Sequence, residues 1–137
     1  MIVITDKHGP RLARVTPALV RPALAEELEF QAKEIAEDAV FSIRDGAISG
    51  EGHVPAPPGE PPNEDTGELS GSISPLEVVE TPSDVRTGVI ATSGHALYQE
   101  RGTSKMEPRP FLEPAAERHR VDVLRALHGR FTEMLRR

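Results

Sequence analysis

The side chains best suited to metal ligation or proton transfer in this 137-residue chain are five histidines, His8, His53, His95, His119 and His128. Their spacing argues against both. No His-x-x-x-His pair and no His-Glu-x-x-His motif occurs, and His119 and His128 lie nine residues apart on one expected helix. At about 100° per residue that places them about 180° out of phase, so one helix does not aim both at one ion. Ser104, His95 and Glu100 are residue types of a hydrolase triad, yet no serine stands in a Gly-x-Ser-x-Gly elbow. The glycines at 67 and 71 enclose Glu-Leu-Ser, without the lysine and following Ser or Thr that let a P-loop hold phosphate. Cysteine is absent, which removes thiolate nucleophiles, cysteine zinc sites and disulfides and suits a protein made in a reducing cytoplasm. The expectation is a protein without catalytic activity, metal or cofactor.

The elements that would position any site follow from periodicity. Ile2 to Thr5 is β-branched and bounded by Asp6 and Gly9-Pro10, which predicts a strand or arm within residues 1–15. Thr16 as N-cap and Pro17 at the first helical position open a helix over 16–45. Leu24, Leu28, Ile35, Ala39 and Ile43 form its apolar stripe; Glu27, Lys33, Glu34, Glu37 and Asp38 fill the other side. Gly46 to Asn63 holds four glycines and five prolines, predicting an extended loop over 46–64. Such a loop is partly pre-extended, so ordering it on a neighbour costs less entropy; it is read as a docking arm, the alternative being a flexible linker.

Residues 65–100 are expected to form strands. Ile73–Thr81 and Val85–Thr92 are β-branched runs around the turn sequence Thr81-Pro82-Ser83-Asp84, predicting a hairpin with Val85, Thr87, Val89 and Ala91 on one face. Residues 95–100 would add a third strand, and the N-terminal run a fourth. A connector over 101–110 leads to a helix over 111–137, whose stripe is Leu112, Ala116, Val123, Leu124, Leu127, Phe131, Met134 and Leu135. The predicted fold is a single α+β domain, two helices on a small antiparallel sheet of three to four strands, with a long proline-rich loop.

Charge is unevenly spread. Four basic and one acidic residue fall in 1–25, two basic and fourteen acidic in 26–80, four of each in 81–116, and six basic and three acidic in 117–137, for a net of −6. Acidic middle and basic ends can steer head-to-tail association between subunits; solvated helix faces are the plainer explanation. The acidic total and 4% aromatic content argue against a dedicated nucleic-acid binder, for which only the arginines of the last helix offer a footprint. No apolar run approaches the roughly 20 residues that span a bilayer, and Met1 to Asp6 is too short and too soon polar for a secretory signal.

One stretch remains, Leu97 to Ala115. Pro108 and Pro110 keep Glu107 and Arg109 out of the helical region, and Pro114 fits a first helical turn. With Tyr98, Glu100, Gly102, Thr103, Lys105, Met106, Arg109, Pro110, Phe111, Leu112, Pro114 and Ala115, it resembles the signature of the neck or tail-completion proteins of long-tailed double-stranded DNA bacteriophages and prophages. A second block, Asp65, Thr66, Gly67, Leu69, Ser72 and Ile73, matches that family's Asp-Thr-Gly-x-Leu element. Arg101 stands where the family usually carries an aromatic.

The resemblance implies a structural virion protein that forms a ring, most often six-fold, between the head-side connector or stopper and the tail terminator or tail tube. DNA would pass through its lumen without specific binding, and an acidic first helix and loop would repel phosphate there. Tyr98, Glu100, Gly102, Thr103, Arg109 and Phe111, with Asp65, Thr66 and Gly67, would be interaction residues. Arg109, its backbone fixed by two prolines, is expected to make a charge-assisted contact to Glu100 or across an interface. Phe111 is expected in the core or capping a subunit interface. The alternative is a small DNA-binding or regulatory interaction module without catalytic activity.

Overall fold

The structure, a computed structural model, describes residues 2–5 and 17–136. The expected N-cap Thr16 lies outside the described residues.

Helix α1 spans Pro17–Arg44. Pro22 falls in its second turn, where the single lost bond is tolerated close to a helix end. The predicted stripe is inside: Leu24, Leu28, Ile35, Ala39 and Ile43 are buried, together with Ala32 and Ala36. They span about a third of the helix circumference at about 100° per residue, and with buried Glu27 and Gln31 about half, enough for α1 to pack on the sheet and on a second helix at once.

Among the described residues four short strands make the sheet, β1 (Ile2–Thr5), β2 (Ile73–Pro75), β3 (Val79–Glu80) and β4 (Val85–Ala91). β4 is central. β1 pairs with it antiparallel on one side, Ile2 opposite Val89 and Thr5 opposite Arg86. On the other side β2 and β3 follow one another along β4, with Pro75 opposite Val89 and Val79 opposite Arg86. Three residues, Leu76 to Val78, thus face two, Thr87 and Gly88, which is a bulge interrupting one continuous edge. Pro75 sits on that edge, where a missing amide costs least. The Thr81–Asp84 turn closes the predicted hairpin through Thr81 N–H to Asp84 O, 2.8 Å, and Asp84 N–H to Thr81 Oγ1, 3.1 Å. Alternation places Val85, Thr87 and Val89 in the core, and the buried Thr87 hydroxyl donates to Leu76 O at 2.8 Å.

Helix α4 spans Leu112–Arg136 and runs antiparallel along α1. Two acidic residues of α1 hold it. Glu27, expected on the solvent side, is buried and accepts from Gln31 Nε2 at 2.9 Å and Arg130 Nε at 3.2 Å, which offsets its lost hydration. Asp38 accepts from Arg118 Nε at 2.9 Å, with His119 Nε2 at 3.3 Å. Leu112, Val123 and Leu127 are buried and Phe131 and Met134 pack against the core, as the stripe requires. Leu124 does not: it is 56% exposed, because it stands about 100° around the helix from Val123.

The molecule is α+β, as the sequence pattern predicts. The 65–100 segment, however, is not all strand. Glu68–Gly71 forms a one-turn helix, α2, and Ala96–Arg101 forms a short helix, α3, in place of the expected third strand. The run Ala-Leu-Tyr-Gln-Glu-Arg has no β-branched residue and is mostly strong helix formers, so its backbone closes i to i−4 bonds, Gln99 N–H to His95 O at 3.0 Å among them. The extended start expected for Leu97–Gln99 is corrected with it.

Candidate interaction site

The signature stretch folds as a corner between α3 and α4. Gly102 ends α3 with φ 71°, its N–H bonded to Tyr98 O at 2.8 Å. A Cβ there would lie 2.6 Å from Met106 O and 2.8 Å from Pro108 N, so this position combines a left-handed backbone with a close backbone approach and is reserved for glycine. Thr103 and Met106 close a tight turn, Thr103 N–H to Met106 O at 2.7 Å, and Lys105 N–H bonds Thr103 Oγ1 at 3.2 Å. The chain then returns in extended form past α3, with Arg109 N–H on Gln99 O at 2.7 Å.

Glu100 joins the two helices. Its Oε2 accepts from Phe111 N–H at 2.9 Å and Leu112 N–H at 3.0 Å, and its Oε1 from Glu113 N–H at 2.8 Å. The first turn of a helix leaves four amides without intrahelical partners. Here one carboxylate takes three, and the fourth residue, Pro114, has no N–H to satisfy. Negative charge at that end also meets the positive pole of the α4 dipole. The Arg109–Glu100 contact expected from the sequence is therefore not formed. The carboxylate is occupied by α4, and Arg109 Nε donates instead to Ala56 O at 2.7 Å, in the proline-rich loop.

Arg109 is one of two fasteners on that loop; Gly59 N–H donates to Pro108 O at 2.9 Å beside it. Ala56, whose carbonyl Arg109 holds, is buried. The other motif block grips the loop at its base. Asp65 Oδ1 accepts Gly50 N–H at 3.3 Å, Thr66 Oγ1 accepts Glu68 N–H at 3.4 Å, and Gly67, with φ 82°, takes the left-handed conformation that opens α2. Adjacent Glu64 is bound by the Ser70 hydroxyl and by Arg44 Nε at 3.0 Å. The Ser70 hydrogen bond, then the Arg44 bond and charge, hold its carboxyl below the ordinary carboxylate range. Both sequence blocks thus converge on one loop, Asp65 at its base and the Pro108–Arg109 stretch at its middle.

Phe111 is 1% exposed and is the largest fully buried side chain, with Leu112 buried beside it. It belongs to the hydrophobic core of the chain. Tyr98 faces outward at 54% exposure, next to exposed Leu97, Arg101 and Thr103. Between α3 and the start of α4 lies a groove of about 380 Å³, with Ala96 and Phe111 below and Leu97, Arg101 and Glu113 at its rim. The loop anchors Ala56 and Gly59 and the Ser70–Glu64–Arg44 cluster were not identified from the sequence. Glu64 beside Asp65 was the available signal, an acidic pair next to the turn.

Among the described residues no group of three or more His, Asp or Glu is arranged to hold a metal ion, and no helix is long and apolar enough to cross a membrane. Comparison of the chain with protein-family models, with curated proteins and with solved structures found no match.

Proposed function

We propose that this chain is a structural subunit of the neck of a long-tailed double-stranded DNA bacteriophage or prophage particle, joining the head-side connector to the tail as part of a ring. The observation that carries the proposal is the presentation of the signature stretch. Leu97 and Tyr98 project to solvent from a corner whose backbone is fixed by Glu100, Gly102 and Arg109. Outward apolar and aromatic side chains on a pre-ordered backbone lose little entropy on binding, which favours recognition of a partner protein. The proline-rich loop, which Arg109 holds at Ala56, adds exposed Ile48 and Val54 and serves as the arm that meets a neighbouring protein. In a ring, each such contact is small but repeated, so weak interfaces hold collectively.

Deleting the gene from the phage or prophage that encodes it tests this directly. Filled capsids and finished tails that fail to join, with infectivity restored by complementation, are expected under electron microscopy. Normal joined particles overturn the neck assignment, and empty capsids move the function to the capsid side. The DNA-binding alternative predicts association with duplex DNA that falls steeply with salt; the neck reading predicts none of that strength.

A further inference from the structure

The outer faces of α1 and α4 carry large apolar side chains that the subunit leaves uncovered. On α1 these are Phe30, 55% exposed, and Phe41, 63% exposed. Eleven residues apart, they fall about 20° from each other around the helix and about 16 Å along it, so they share one stripe. Phe41 forms a wall of two grooves, one of about 380 Å³ toward Ile73 and Pro75 and one of about 400 Å³ toward Arg118 and His119. The second groove is lined by Glu34, Glu37, Asp38 and Asp122. On α4 the uncovered pair is Val121 and Leu124, flanked by exposed Arg120, Arg125 and His128.

We propose that these two faces bind each other between copies of this chain, the Val121–Leu124 face of α4 in one subunit seating on the Phe41 face of α1 in the next. Charge complementarity selects the partner. Within the subunit α4 is already held to α1 by arginine on acid, Arg118 on Asp38 and Arg130 on Glu27, and the outer faces repeat that chemistry with Arg120 and Arg125 on α4 and Glu34 and Glu37 on α1. Arg120 and Arg125 lie near Glu117 and Asp122 of their own helix, at 3.7 Å and 2.9 Å. Such exposed pairs are worth little and exchange easily, so both guanidiniums remain available to a neighbour. Pairing like with like would set acid against acid on one side, so the α1 face meets the α4 face of its neighbour and not its own copy. Head-to-tail contacts generate rings when the rotation closes. The inference rests on the proposed ring for one point, that the partner is another copy.

The test uses two exposed substitutions, Phe41→Lys and Leu124→Glu, each placing on one face a charge that the opposite face repels. Wild-type protein is expected to show concentration-dependent association in sedimentation velocity. Each variant alone associates about tenfold more weakly, with circular dichroism and thermal unfolding unchanged. An equal mixture of the two associates more tightly than either variant alone, because the first variant keeps its α4 face and the second its α1 face. A mixture that stays monomeric, a wild type that stays monomeric at millimolar concentration, or a variant that associates like wild type overturns the pairing. The neck assignment is decided separately, by the deletion phenotype.

Discussion

Two irregular, proline-rich segments of this molecule are held by different means. The connector from Gly102 to Phe111 is fixed at its two ends: Phe111, its one buried residue, enters the core, Glu100 bonds three amides where α4 begins, and Gly102 permits a backbone approach that no side chain allows. In the loop from Gly46 to Asn63 only Ala56 and Pro62 are buried, and its path is set by hydrogen bonds at a few points: two to the connector, two to the Glu64–Asp65 base, and others within the loop, Asn63 Nδ2 to Val54 O among them. Proline stiffens both, yet rigidity comes from burial and from satisfied backbone groups. The connector is fixed by the two helices it joins; the loop is held across its middle by the connector.

If that contrast is right, substitutions in the connector unfold the subunit and substitutions at the loop contacts free only the loop. Phe111→Ala should have the largest effect, a loss of about 3 to 5 kcal/mol in urea unfolding, the range for emptying a buried phenylalanine site. A stable monomer that merely fails to assemble would move Phe111 from core to interface and break the contrast. Gly102→Ala should cost about 1 to 3 kcal/mol, since alanine there meets both a positive φ and the Met106 carbonyl. Unchanged stability would mean that the corner relaxes freely.

Glu100→Ala removes the acceptor of three α4 amides and should cost about 1 to 2 kcal/mol in the same assay. Glu100→Gln should recover part of that, because the amide oxygen still accepts but carries no charge to meet the helix dipole. Equal losses in the two variants would show that the carboxylate's charge is all that matters. Arg109→Ala should cost about 1 kcal/mol or less, while amide exchange between Val54 and Pro62 accelerates sharply. Slow exchange there would mean that the loop holds itself, and the distinction between the two segments would fall.

The smallest effect expected is at the loop base. Glu64's carboxyl is held below its ordinary value in the folded chain, so its contribution is present above the unfolded carboxylate range and is lost as pH falls through the depressed folded value. Ser70→Ala removes the largest cause of that depression. It should flatten the acid limb of the stability curve measured by unfolding between neutral pH and pH 3 or so. An acid limb identical to wild type would assign the pH dependence to other carboxylates.

What the sequence determined by itself was whatever depends on neighbours three, four or two residues away. The α1 stripe from Leu24 to Ile43, the Thr81–Asp84 turn and the alternation along Val85 to Ala91 all follow from local periodicity, and these carry the α+β class. The strand expected over 95–100 rested on its place after β4 and not on its residues, whose helix propensity the structure follows, with Ala96 entering the core and Gly102 ending the turn. Leu124 shows the limit from the other direction, an apolar residue assigned to the stripe that the rotation of α4 leaves in solvent. The site was marked in the sequence by its two blocks, but their work was not. Glu100 reaches amides eleven to thirteen residues ahead, and Arg109 reaches a carbonyl 53 residues back. Contacts of that span exist only once the intervening chain has closed, so only the tertiary structure could show that one motif caps a helix and that both fasten a loop.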